Sequence, residues 1–133
     1  MLEKVDHIGI VVRDLDQAMK LYRDAFGIEP GLVYEAKETK AKIAFFPVGE
    51  VKIELLQPTE ANSVTGKFLE KKGEGIHHIC FKVKDVDESL GVLASKGIQL
   101  VDQKARKVRD NEKVGFLHPK STSSVLIELI QED

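Results

Sequence analysis

The chain has 133 residues, 42% of them hydrophobic and 32% charged, with a formal net charge of −2 and one cysteine, Cys80. This composition can bury a core and excludes a disordered tail, and the missing basic excess argues against nucleic acid as a partner. No apolar run approaches the roughly 20 residues of a membrane-spanning helix, MLEKVDHIGI does not read as a secretion signal, and a lone cysteine forms neither an internal disulfide nor a CxxC zinc site, so a cytoplasmic protein is expected.

In chain order, the first predicted element is a strand whose apolar face is Ile8, Ile10 and Val12, with His7 on the other face. Asp14 follows as a helix N-cap, with Gln17 in capping-box position. Leu15, Ala18, Met19, Tyr22, Ala25 and Phe26 recur at helical spacing, and Gly27 supplies a stop. Two strands come next, KIAFFP at 42–47 and VKIELL at 51–56. In the second, Ile53 and Leu55 point one way, so Glu54 points the other. Pro58 to Gly75 reads as a connector, with Ser63 capping a short helix through Val64, Phe68 and Leu69.

The chain then repeats itself. A shift of 71 residues pairs Val5 with Ile76, His7 with His78, Ile8 with Ile79, Ile10 with Phe81, Val12 with Val83, Asp14 with Asp85 and Asp16 with Asp87. A second helix follows through Val86, Ser89, Leu90, Leu93 and Ala94, stopping at Gly97. KVGFLHP at 113–119 matches KIAFFP, and VLIELI at 125–130 matches VKIELL at a shift of 74, which sets Glu128 against Glu54. Each copy is thus a strand, a helix and two or three further strands. Neither half is large enough to bury a comfortable core alone. The expected architecture is α+β, a single domain over 1–133. Two tandem βαβββ modules, about 1–58 and 76–133 with a connector at about 59–75, form a curved eight-stranded mixed sheet with the helices outside.

A lone strand histidine is more often hydrogen-bonded than ligating, and a lone strand glutamate is usually solvated. Here both types recur at matched places, and a carboxylate within IELL or LIEL costs several kcal/mol if buried without a partner. His7, Glu54, His78 and Glu128 therefore emerge as a candidate site for Co²⁺, Mn²⁺, Ni²⁺ or Zn²⁺ with positions left for substrate oxygens. His77, whose counterpart is Asp6, reads as a supporting or structural residue, and His118, which has no counterpart, lies outside the ligand set.

The combination of DHIGI, IELLQP, GEGIHHICF and FLHPKS ahead of VLIEL resembles the vicinal oxygen chelate superfamily and, within it, the methylmalonyl-CoA epimerases, over nearly the whole chain. The resemblance implies a divalent metal, often cobalt, on the same four residues, and a small-molecule acyl-CoA substrate whose α-proton is removed and returned. It also implies Glu128 as ligand and base, substrate contacts from Lys120 and Ser121 in HPKST, and a homodimer. Where some epimerases carry a second acid-base glutamate, this chain has Lys42, and where relatives have a glycine-rich stretch it has VRDN at 108–111, beside Lys104, Arg106, Lys107 and Arg109 as possible contacts for coenzyme A phosphates. Lys42 is expected to be solvated. A lactoylglutathione lyase or a metal-free binding protein would share the scaffold, but nothing indicates a glutathione site, and a metal-free protein has no need of the four ligand types.

Overall fold

The computed structural model describes residues 1–133 and divides into two compact units, a first of His7–His77 and a second of His78–Asp133 with Met1–Asp6. In the first, β1 (Lys4–Val11) pairs in parallel with β4 (Val51–Pro58). Antiparallel pairing then joins β4 to β3 (Ala41–Val48) and β3 to β2 (Leu32–Ala36). In the second, β5 (Gly75–Lys82) pairs in parallel with β8 (Ile127–Glu132), and antiparallel pairing joins β8 to β7 (Glu112–Leu117) and β7 to β6 (Arg106–Arg109). The architecture is α+β, with two βαβββ repeats and four strands in each unit.

Each repeat ties its helix to its last strand in the same way. Asp14 and Asp85 accept hydrogen bonds from the Gln17 and Glu88 amides, at 3.1 and 3.0 Å, as N-caps should. The first helical amide of α1 (Leu15–Lys20) donates to Gln57 Oε1 at 2.7 Å, and that of α3 (Val86–Ser95) donates to Gln131 Oε1 at 2.9 Å. Both glutamines lie three residues beyond the glutamates of the repeat. On a strand that odd spacing sends the glutamine to the helix face and the glutamate to the opposite face. The helix face of the first unit packs Leu15 and Met19 on Ala44, Phe46 and Leu55, and that of the second packs Val86 and Leu90 on Leu117 and Leu129.

Three expectations need correction. After Lys20 the first helix widens into a π turn over Leu21–Ala25, with the Phe26 amide donating to the Leu21 carbonyl. One extra residue in the turn rotates the side chains after it by about 100°. Phe26 is consequently 57% exposed instead of in the core, its ring edge-on to Tyr22. Gly27 and Gly97 nevertheless end the two helical segments with φ of 70° and 87°. In the connector helix α2 (Val64–Lys72), Ser63 is the cap, but Val64 is exposed and Thr65 and Gly66 are buried. The last strand begins at Ile127 instead of 125, because a 3₁₀ turn at Pro119–Ser121 and left-handed Ser123 and Ser124 occupy the link where the first unit has a two-residue hairpin turn, Gly49 and Glu50.

A side chain cannot be accommodated at Gly66. A Cβ there would stand 2.3 Å from the Glu60 carbonyl oxygen and 2.7 Å from that of Ala61, both backbone atoms outside the helix. Gly66→Ala is expected to destabilise the protein by at least about 2 kcal/mol, read as a melting temperature lower by roughly 5–10 °C. An unchanged melting curve would mean that the 60–66 segment shifts at no cost.

Candidate metal and proton-transfer site

The two histidine–glutamate pairs form with the same local geometry. In the first unit His7 lies opposite Lys52 and Gly9 opposite Glu54, so the glutamate faces the residue two positions beyond the histidine. In the second unit Glu128 lies opposite Cys80, two beyond His78. The imidazole therefore leans diagonally onto the carboxylate in both. His7 Nε2 is 3.4 Å from Glu54 Oε1, and His78 Nε2 is 3.2 Å from Glu128 Oε1. All four side chains are buried, the most exposed being Glu128 at 8%.

A phenylalanine stands edge-on to each histidine. The His7 and Phe45 rings are 5.5 Å apart at 80°, and the His78 and Phe116 rings are 6.0 Å apart at 80°. Sequence reasoning overlooked this pair, although Phe45 and Phe116 are separated by the same 71 residues as the histidines. The register explains their place, since Phe45 is the partner of Glu54 and Phe116 the partner of Glu128. The ring edges hold the imidazoles in orientation and keep an apolar wall beside the carboxylates.

These residues fit a divalent cation. Each pair offers an imidazole nitrogen and a carboxylate oxygen, hard-to-borderline donors without thiolate, which suits Mn²⁺, Co²⁺, Ni²⁺ or Zn²⁺. Two donors at neighbouring coordination positions, each about 2.1 Å from such an ion, stand about 3 Å apart, close to the spacing of each pair.

The remaining candidates fall elsewhere. Lys42 is exposed and pairs with Gln57 and Glu35 in the register of β3, so it belongs to the face opposite Glu54. His77 packs edge-on against Phe68 of α2, at 5.0 Å, as a structural residue. His118 caps the 3₁₀ turn, its Nδ1 accepting from the Lys120 amide at 3.1 Å. Ser121 Oγ accepts from the Gln99 amide at 2.9 Å, and the Lys120 side chain is exposed. Of the four cations near β6, Arg109 forms a two-pronged pair with Glu112 at 2.6 and 2.8 Å, and Arg106 pairs with Asp102, while Lys104 and Lys107 are exposed.

Two βαβββ units, each with a buried histidine–glutamate pair on the face away from its helix, define a class of paired-module proteins with a candidate metal site. The chain belongs to the glyoxalase/bleomycin resistance protein/dioxygenase superfamily, whose family model matches residues 6–116. It is 35% identical to an ethylmalonyl-CoA/methylmalonyl-CoA epimerase of Cereibacter sphaeroides, over 98% of this chain and 99% of that protein. It is 34% identical to the mitochondrial methylmalonyl-CoA epimerase of Mus musculus, over 98% of this chain and 74% of that one. A solved methylmalonyl-CoA epimerase in complex with methylmalonyl-CoA and NH₄⁺ superposes with a TM-score of 0.93 at 34% identity, covering 99% of this chain and 96% of that one.

Proposed function

We propose that this chain interconverts (2R)- and (2S)-methylmalonyl-CoA, with His7, Glu54, His78 and Glu128 together holding one divalent cation. The observation that carries the reading is the matched, buried histidine–glutamate pair in each unit; full-length similarity to epimerases, one of them solved with methylmalonyl-CoA, supports the substrate. Co²⁺ is the favoured ion. No helix of the chain is long and apolar enough to cross a membrane. Separately, we assign the chain to the cytoplasm, which its lone cysteine fits, and to a homodimer by analogy with the epimerases.

The α-carbon lies between a thioester and a carboxylate, so its proton is the acidic one. Glu128 accepts that proton, the C–H bond breaks, and its electron pair moves into the thioester carbonyl to give an enolate. The cation, when bound, supplies positive charge toward the thioester oxygen as negative charge grows there. Return of a proton to the opposite face forms the new C–H bond. With Lys42 on the far face of its sheet, Glu54 is the group we assign to that side. Phe45 and Phe116, edge-on to the two histidines, set apolar surface beside the carboxylates, which trade their protons with solvent between turnovers. Lys120, exposed beyond the end of β7, and Ser121 are the candidates for contacting the substrate's carboxylate or pantetheine arm.

The test is incubation of the Co²⁺-loaded protein with (2R)-methylmalonyl-CoA in D₂O, following deuterium at the α-carbon and the appearance of the (2S) form. Both are expected, and both should stop on treatment with a chelator. No exchange in protein shown to hold its metal would refute the assignment.

A further inference from the structure

The two units match in their ligands but not in what borders them. On the site face of the second unit Arg106 is in register with Val114, and Val114 with Ile130. The first unit has Tyr34 at the same place, in register with Ile43 and then Leu56, and there Tyr34 packs into an apolar cluster with Phe45. One repeat thus fills this position with an aromatic ring and the other with a cation. Methylmalonyl-CoA is itself lopsided, with a free carboxylate on one side of the reacting carbon and a thioester on the other.

Arg106 is also held in place. Its Nε is 3.1 Å from Asp102 Oδ1, and its Nη2 donates to Asp102 Oδ2 at 3.2 Å. The same Oδ2 accepts from the Phe116 amide at 2.8 Å. The guanidinium carbon lies 5.6 Å from the centre of the Phe116 ring, the ring that meets His78 edge-on. Asp102 occupies one edge of the planar fork, and the donors on the other edge remain available. Phe116 is only half-buried, whereas Phe45 is buried, so the ring offers an open floor between Arg106 and His78.

We infer that Arg106, clamped by Asp102 over Phe116, is the specificity residue that recognises the free carboxylate of the acyl group. An anionic substrate approaching Glu128 meets like charge, and a fixed cation one aromatic ring away from His78 offsets it. The phosphates of coenzyme A are also anions, but they lie a whole pantetheine arm from the reacting carbon, whereas only the Phe116 ring separates Arg106 from His78. This inference rests on the function proposed above.

The test compares binding of methylmalonyl-CoA and propionyl-CoA, which carry the same phosphates and differ in the carboxylate, to the metal-loaded protein and to its Arg106→Gln variant. Loss of a hydrogen bond to an ionised group is expected to weaken methylmalonyl-CoA about tenfold or more and leave propionyl-CoA within about twofold. KM for epimerisation should rise by a similar factor, with kcat changing less. Arg106→Lys, which keeps the charge without the fork, should fall between, and it serves if the glutamine variant misfolds. Equal weakening of both esters would move the contact to the phosphates and overturn the inference, as would no change in either. If the wild-type protein discriminates the two esters but does not epimerise, the proposed function fails and the Arg106 comparison can still be read.

Discussion

Glu128→Gln is expected to slow α-proton exchange and epimerisation by about 10²–10⁴-fold, the usual contribution of a positioned general base. The amide has nearly the same size and still offers an oxygen, but it cannot take a proton at neutral pH. Metal content and KM should therefore change far less than kcat. That split separates a base from a residue that only holds the ion, and a parallel measurement of bound metal and of deuterium exchange reads both. Glu128 is well suited to the task because its surroundings are fixed. Cys80 and Phe116 flank it in register on neighbouring strands, and His78 stands 3.2 Å from its oxygen. A variant that kept near-normal exchange would transfer the base role to another group, with Glu54 the first to examine.

His78→Ala should have the largest effect on metal binding. Removal of a partner in the outer shell of a site already costs 10–100-fold in metal affinity, so loss of a direct ligand is expected to cost more than about 100-fold. It also removes the imidazole from beside a buried carboxylate and leaves a space against Phe116, which should destabilise the metal-free protein by about 1–3 kcal/mol. Thermal unfolding with and without Co²⁺ distinguishes the two effects. A ligand at 100 times its dissociation constant stabilises the wild type by about 2.7 kcal/mol, and the variant should show little of this gain. His118→Ala, by contrast, removes only a turn cap and should retain the metal response. Equal metal stabilisation of wild type and His78→Ala would remove His78 from the ligand set.

Much of the fold and the site was legible in the sequence because the repeat is written in local patterns. Strand alternation separates His7 from Ile8 and Ile10 without any tertiary information, and the aspartates before both helices are caps in the structure as in the pattern. The glutamates were readable as residues out of place in apolar runs. The π turn was not, since Leu21–Ala25 fits an ordinary helix by spacing, and only its packing decides the width of the turn. Val64 was misjudged because Gly66 draws the opposite face of α2 onto the Glu60 and Ala61 carbonyls. The contact of Asp102 with Arg106 and the Phe116 amide was hidden for a different reason: the pair is only four residues apart but lies outside any helix, and the bond to Phe116 depends on the segment before β6 folding back onto β7, which no periodicity marks.

The position of Gln57 and Gln131 bears on how this scaffold could be redesigned. In each unit one strand carries the carboxylate on one face and, three residues later, the glutamine that holds the helix start on the other. Chemistry and architecture are thus inscribed on the same short segment but on opposite sides of it. An engineer could exchange Glu54 for another donor to change the ion, or Glu128 to change the reaction, and leave the helix anchor untouched. Inserting or deleting a single residue between them would turn one of the two to the wrong side. Libraries aimed at new activities should therefore vary side chains on these strands while keeping their length fixed.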